Sequence, residues 1–316
     1  MMTAVGARAR GREAFWPAFA ALVGGAFAMG ASPIFVRLAD VGPFASAFYR
    51  VLLALPLLYA WMRAEAGQGA APTTGPRFTG AVVLSGLLFA GDLFFWHLAS
   101  LNTTVANATF FATTAPIWVG IFGWLVLRKR VGSATIAGLL LCLLGGAALV
   151  WQSLAFAPEH LTGDFYGAMT GLFFGAYFLA VARARERHGA GWVSFHATVV
   201  TAASLSLAAL WGWLVLHQPL FPGSLKGWMV LVALAWVSHC GGQGMLAVAL
   251  GSLPTLFSSL VIFLEALAAA GLGWLVLDEA VTPLQGLGGL VILAGIWVAR
   301  PKDTHQPEDE TKGARA

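Results

Sequence analysis

Apolar residues along this chain fall into ten long runs, divided by short stretches of turn residues and charge. A helix needs about 20 apolar residues to cross a hydrocarbon core about 30 Å thick, and each run has roughly that length. The runs predict helices over Phe15 to Leu38, Phe44 to Met62, Phe78 to Leu101, Thr104 to Leu127, Val131 to Trp151, Gly163 to Ala182, Trp192 to Leu216, Leu225 to Leu250, Thr255 to Leu277 and Thr282 to Ala299. Asn102-Thr103 and Gly251 to Pro254 are so short that the runs on either side of each must form tight antiparallel hairpins. The first run is too long for a signal-peptide core and lacks a small-residue cleavage pattern, so it is expected to stay as a helix.

Two runs end in the same five residues, Gly123-Trp124-Leu125-Val126-Leu127 and Gly273-Trp274-Leu275-Val276-Leu277. Arg128-Lys129-Arg130 follows the first copy and Asp278-Glu279 the second. A duplicated apolar unit with opposite flanking charge predicts two halves inverted relative to each other in a bilayer. With the N-terminus in the cytoplasm, Arg8, Arg10, Arg12, Arg63, Arg77, Arg128, Lys129, Arg130, Arg183, Arg185, Arg187, Arg300, Lys302, Lys312 and Arg315 all lie inside; only Arg37, Arg50 and Lys226 of the 18 basic residues do not. This bias sets the orientation, and both termini are then cytoplasmic.

The expected organisation is a basic N-terminal segment at 1–14, a first repeat at 15–151, a periplasmic linker at 152–162, a second repeat at 163–299 and a tail at 300–316. The polar N-terminal dozen residues and the tail are expected to be disordered.

Composition removes the soluble alternatives. The chain is 59% hydrophobic and 10% charged, against about 25% charged in soluble domains, so lipid must be most of its solvent. A net charge of +4 does not indicate nucleic acid, because the basic residues are scattered in short clusters. Cys142 and Cys240 lie within apolar runs and fit as small buried hydrophobes, with no disulfide required. Phosphate-cradling loops, zinc pairs and nucleophile elbows are missing from the sequence. It therefore predicts no enzyme, cofactor or metal, and implies no obligate protein partner. The partners expected are the bilayer and a small-molecule substrate.

Leu264-Glu265-Ala266, Gly273 through Gly286 and Leu293-Ala294-Gly295 resemble the closing helix pair of the EamA domain of the drug/metabolite transporter superfamily, and Ala115-Pro116 through Gly145 resembles the same unit in the first half. Asp92 through Ala99 and Thr104 through Thr109 are similar to a metabolite-exporter branch that includes aromatic amino-acid exporters. Two positions depart from the family pattern: Lys129 replaces an acidic residue, and Glu265 is followed by Ala266 instead of proline. The resemblance implies an all-α membrane protein of two inverted five-helix repeats in a bacterial inner membrane. Such a protein exports small metabolites, amino acids including aromatic ones among them, by alternating access. A proton-coupled multidrug or cationic-metabolite antiporter of the same fold is the alternative, and a membrane-embedded enzyme a remote one.

Polar residues inside the runs identify candidate site positions, since a charge at a helix centre costs about 2.5 to 3.5 kcal/mol on insertion scales. Glu265 either contacts substrate or serves a structural or gating role. Asp92 and Trp96 share a helix face, where acid and indole suit an ammonium group with an apolar body; the competing reading makes them interfacial anchors, as it does His97. His239 and Gln243 form a similar pair, suited to an interhelical hydrogen bond, and Tyr177 is a candidate cavity wall. Substrate binding is thus assigned to Asp92, Trp96, Tyr177, His239 and Glu265. Arg37 is expected to snorkel to the interface. Arg50, assigned to gating or helix packing, either attracts a carboxylate or clamps the acidic loop of the other half. Gly171 and Gly175, in a stripe that begins at Gly167, and Gly30 with Pro33 are assigned to gating or helix packing in the first helices of the two halves.

Overall fold

The computed structural model describes residues 4–67, 78–103, 105–126, 128, 131–151, 161–277 and 281–301, and every regular element among them is helical. In chain order these are α1 (Ala4–Gly30), α2 (Ser32–Leu38), α3 (Pro43–Leu52), α4 (Leu55–Gly67), α5 (Gly80–Asn102), α6 (Val105–Ala112), α7 (Ala115–Leu125), α8 (Ser133–Val150), α9 (Leu161–Arg185), α10 (Ala190–Leu214) and α11 (Leu225–Ala233). A π-helical segment, Leu234–Gln243, then leads into α12 (Gly244–Leu250), α13 (Thr255–Val261), α14 (Phe263–Leu277) and α15 (Pro283–Ala299).

Among the described residues, 9 stretches are long and apolar enough to cross a membrane, and Pro283–Ala299 is a shorter apolar helix at the tenth expected position. The first of them, Phe15–Leu38, and the eighth, Leu225–Leu250, have the predicted bounds. The N-terminal segment differs from expectation. Helix α1 begins at Ala4, so the residues expected to be disordered from there on prolong the first span. Their alanines and arginines favour helix, and the apolar span beyond them supplies a formed helix to extend. The tail from residue 302 and the charged residues Lys129, Arg130, Asp278 and Glu279 lie outside the described residues.

Packing fixes the relative direction of the two halves. Helix α9 runs antiparallel to α5, with Gly163 on Asn102 and Gly91 on Phe173. Helix α5 is parallel to α10, with Phe78 on His196 and Gly86 on Val200. Helix α10 is antiparallel to the second span, where Phe44 meets Trp211 and Glu65 meets Ala190. That span is parallel to the eighth through Tyr49 on Trp228 and Ala54 on Cys240. The eighth is antiparallel to α1 through Ser238 on Ala28 and Met245 on Gly24. Following these directions round the bundle, α1 and α9, the first helices of the two halves, run in opposite senses.

The contact between α8 and α15 repeats the relation locally. The two pentads are 150 residues apart, as 273 minus 123, and the same step carries Gly138 to Gly288 and Gly145 to Gly295. Gly138 packs on the carbonyl of Gly295, and Gly288 packs on that of Gly145: a Cβ would lie 2.5 Å and 2.7 Å from those oxygens. Exchanging the halves therefore maps this interface onto itself, with backbone against backbone. Helix association in lipid depends on such close approach, because lipid tails give apolar side chains no hydrophobic drive to leave them.

Gly288→Ala and Gly286→Ala form a matched test of this interface, since nothing lies within 4 Å of a Cβ at Gly286. Gly288→Ala is expected to destabilise the protein by about 1 to 3 kcal/mol, the usual range for overpacking. Gly286→Ala should leave the thermal midpoint in detergent unchanged or slightly raised.

Candidate functional site

Several spans are interrupted, and the interruptions in spans one, four, eight and nine adjoin one cavity. The first breaks at Ala31, ahead of Pro33, whose ring cannot continue the hydrogen-bond ladder of the preceding turn. The second breaks at Leu53 and Ala54. The fourth breaks at Thr113 and Thr114, and the ninth at Ile262, equivalent to Ala112 by the 150-residue step. The eighth contains the π segment, a form of helix common at functional sites.

The cavity between the halves has a volume of about 60 Å³ and is lined by Arg50, Asp92, Trp96 and Glu265, with Ser32, Pro33, Phe89, Thr113, Thr170, Phe174 and Gln243 among the other walls. Arg50 and Asp92 are buried, and Glu265 and Trp96 partly so. The Arg50 charge acts on both carboxylates, and Asp92 and Glu265 also act on each other. Among the described residues no direct ion pair joins Arg50 to either acid, and Arg50 Nε has no hydrogen-bond partner. Three ionisable groups thus face a single small space whose remaining walls are largely apolar.

Tyr177 and His239 line a smaller adjoining cavity of about 10 Å³, which shares Phe89 and Gln243 with the main one. His239 Nε2 lies 2.9 Å from Thr198 Oγ1, and Gln243 donates to Met29 Sδ at 3.1 Å. Span eight is thereby bonded to spans seven and one, the interhelical role expected of this pair. The free edges, His239 Nδ1 and Gln243 Oε1, are buried without partners.

His97 corrects an expectation. It is no interfacial anchor: it is buried, its Nδ1–H donates to Leu93 O at 2.6 Å, and Nε2 faces Ser46 Oγ at 3.3 Å. It belongs to the packing of α5 on α3. Trp96, read alternatively as an interfacial residue, faces the cavity. Arg50 also lines the cavity, and the acidic loop it was expected to clamp lies outside the described residues.

Gly175 and Gly30, assigned from sequence to gating or helix packing, occupy equivalent places. A Cβ at Gly175 would lie 2.7 Å from Ala115 O, and one at Gly30 would lie 2.8 Å from Glu265 O. Ala115 and Glu265 are themselves one repeat apart. Each half therefore seats its first helix on the start of the other unit's broken strut, but only the second half has an acid there. Gly171 packs farther along the same stripe, on Phe111 and Thr114.

Both ends of the bundle are tied by carboxylates that sequence reasoning missed. At one end Glu65 accepts from Ala190 N at 2.8 Å and Trp192 N at 3.3 Å, which caps α10. Arg185 donates to Ala247 O at 2.7 Å beside it and to His188 O. Burial, with Arg187 and His196 nearby, holds the His188 imidazole below its usual pKa. At the other end Asp40 accepts from Ser224 Oγ at 2.8 Å, while Ser224 accepts from Gly227 N at 2.9 Å and caps α11. Carboxylates suit these positions because helix N-termini present unpaired N–H groups and positive potential. Nothing in the sequence pairs residue 65 with 190 or 40 with 224; only the fold brings them together.

A helical membrane protein of two related units, opposed in direction around a polar cavity, has the build of an inverted-repeat transporter. Residues 16–151 and 161–300 match the model of the EamA-like transporter family, and the chain belongs to that family. It is similar to an uncharacterized transporter of Archaeoglobus fulgidus, at 24% identity over 281 residues, covering 86% of this chain and 93% of that one. It is also similar to the pseudopaline exporter CntI of Pseudomonas aeruginosa, at 25% identity over 256 residues, covering 81% and 85%. A probable biotin transporter of Pseudomonas aeruginosa is 28% identical over 247 residues, covering 71% and 79%. A crystal structure shares the fold at a TM-score of 0.74 and 18% identity, covering 91% of this chain and 96% of its own.

Glu65→Ala removes the cap from α10 and is expected to cost about 0.5 to 2 kcal/mol. In a protein with Cys142 and Cys240 replaced by alanine, a cysteine at Ser194, which lines the smaller cavity, should then react faster with a water-soluble maleimide. An unchanged rate would mean that Glu65 does not restrain this end.

Proposed function

We propose that this protein is a secondary exporter that carries small metabolites, amino acids including aromatic ones, from cytoplasm to periplasm across a bacterial inner membrane. The observation that carries the reading is the cavity between the halves, where Arg50, Asp92 and Glu265 meet Trp96, Phe89 and Phe174. Sites for small molecules combine an apolar wall with a few placed polar groups, and here the acids suit an ammonium group while the rings cover an apolar body. Tyr177 and His239 extend the polar wall on the side of Gln243. The relative named as a pseudopaline exporter supports outward transport of a metabolite.

In this reading ten spans cross the membrane and both termini are cytoplasmic. The Glu65 end, near Arg63, Arg183, Arg185 and Arg187, faces the cytoplasm, and the Asp40 end the periplasm. Access alternates as the ties at the two ends release in turn, with Gly30, Pro33, Gly171 and Gly175 as the contacts about which the first helices move. A proton-coupled multidrug or cationic-metabolite antiporter is the second reading, favoured by the excess of two carboxylates over one guanidinium in the cavity.

Trp96→Ala and Glu265→Gln are each expected to lower the export of labelled phenylalanine from proteoliposomes at least tenfold without loss of normally inserted protein. If both variants exported at the parental rate, the site assignment would be wrong. An imposed pH difference separates the two readings: strict dependence of flux on that gradient supports the antiporter. Cysteines placed at Lys129 and Glu279 should be labelled from opposite faces of the membrane, and labelling from one face would remove the inverted topology.

A further inference from the structure

We infer that Arg50 is a receptor for a carboxylate on the transported molecule, so that the cavity selects ligands bearing both a carboxylate and an ammonium group over simple amines. The inference rests on the transporter reading of the same cavity and assigns Arg50, for which the sequence left carboxylate attraction and gating both open, to substrate selection.

Arg50 is 6% exposed. A buried guanidinium is stabilised when its donors are filled and its charge is matched at close range. Here neither condition is met by the protein alone: Nε–H has no acceptor, and no direct ion pair reaches Asp92 or Glu265 among the described residues. The acids nevertheless line the same cavity and act on the same charge, so cation and anions are set around a shared space without touching. The Nε–H belongs to a planar fork that matches a carboxylate with two parallel hydrogen bonds, which a lysine ammonium cannot reproduce.

Two further groups in the cavity wall are buried and unpartnered, the Ser32 hydroxyl and Gln243 Oε1. The first is a second donor available to an anionic group, the second an acceptor available to an ammonium. Complementarity then narrows the ligand. A purely anionic molecule fills the Arg50 donor but lies beside two acids and leaves Gln243 Oε1 without a donor. A simple amine is attracted by the acids but leaves the Arg50 donor desolvated and unfilled, a loss that sites built around a hydrogen bond register strongly. A molecule with both groups satisfies each end.

The test measures binding of labelled phenylalanine to the full-length protein in proteoliposomes, with unlabelled phenethylamine and 3-phenylpropionate as competitors. The expected result is that phenylalanine binds at least tenfold more tightly than phenethylamine. Arg50→Gln should then weaken phenylalanine at least tenfold and strengthen phenethylamine, because the site becomes more acidic. Arg50→Lys should recover only part of the phenylalanine affinity. Parental protein that binds phenethylamine as tightly as phenylalanine overturns the inference and leaves the cationic-metabolite reading standing. Equal weakening of both ligands by Arg50→Gln also overturns it, since Arg50 would then be structural. Should no ligand bind the parental protein, the amino-acid reading falls together with the inference. If Arg50→Gln fails to insert, the parental ranking of the three ligands with the Arg50→Lys result decides the matter.

Discussion

Close approach of backbones at glycine is the constraint on which the rest of the bundle depends. Inside lipid an apolar side chain gains little by leaving one hydrocarbon surface for another, so helices associate through tight packing and hydrogen bonds. Gly138 with Gly295 and Gly145 with Gly288 bring α8 and α15 together, and Gly175 and Gly30 seat the first helix of each half against the unit opposite. Side chains at these positions would push the helices apart. These contacts set how closely the helices that carry the central polar groups approach one another.

A second constraint acts in the opposite direction. Every buried backbone polar group must be satisfied within the protein where water is absent, and continuous helices meet that demand best. This chain departs from continuity in spans one, two, four, eight and nine, and all of these interruptions except that of span two adjoin the cavity. Where the ladder breaks, side chains such as Thr113 and Thr114 donate to nearby carbonyls at 2.7 Å and 2.6 Å. Irregular backbone is thus concentrated where it lines a polar space, as expected of a transporter.

Symmetry supplies the frame and its violations supply the chemistry. Glu265 stands where the other half has Ala115, and Pro116 where the second half has Ala266. Arg50 and Asp92 likewise come from the first half alone. The ends of the bundle keep the same logic with different parts: Glu65 ties α10 directly through its backbone N–H groups, whereas Asp40 acts on α11 through the Ser224 hydroxyl. Two unlike ties thus hold the opposite ends.

The sequence by itself determined the helical class, the positions of the apolar spans and the duplication, because length, apolar content and an identical pentad are properties of the linear chain. It also singled out Asp92, Arg50 and Glu265, since charge within an apolar run is conspicuous wherever the run folds, and Trp96 because it lies one helical turn from Asp92. Tertiary structure decided the rest. It joined Arg50, Asp92 and Glu265 around one cavity, moved His97 from a supposed interface to the packing of α3 on α5, and placed Tyr177 and His239 in the adjoining space. It alone matched Glu65 with Ala190 and Asp40 with Ser224. Those pairings depend on which helices come to lie side by side and how they are rotated, and packing at the glycine contacts sets both, whereas apolar periodicity carries no record of either.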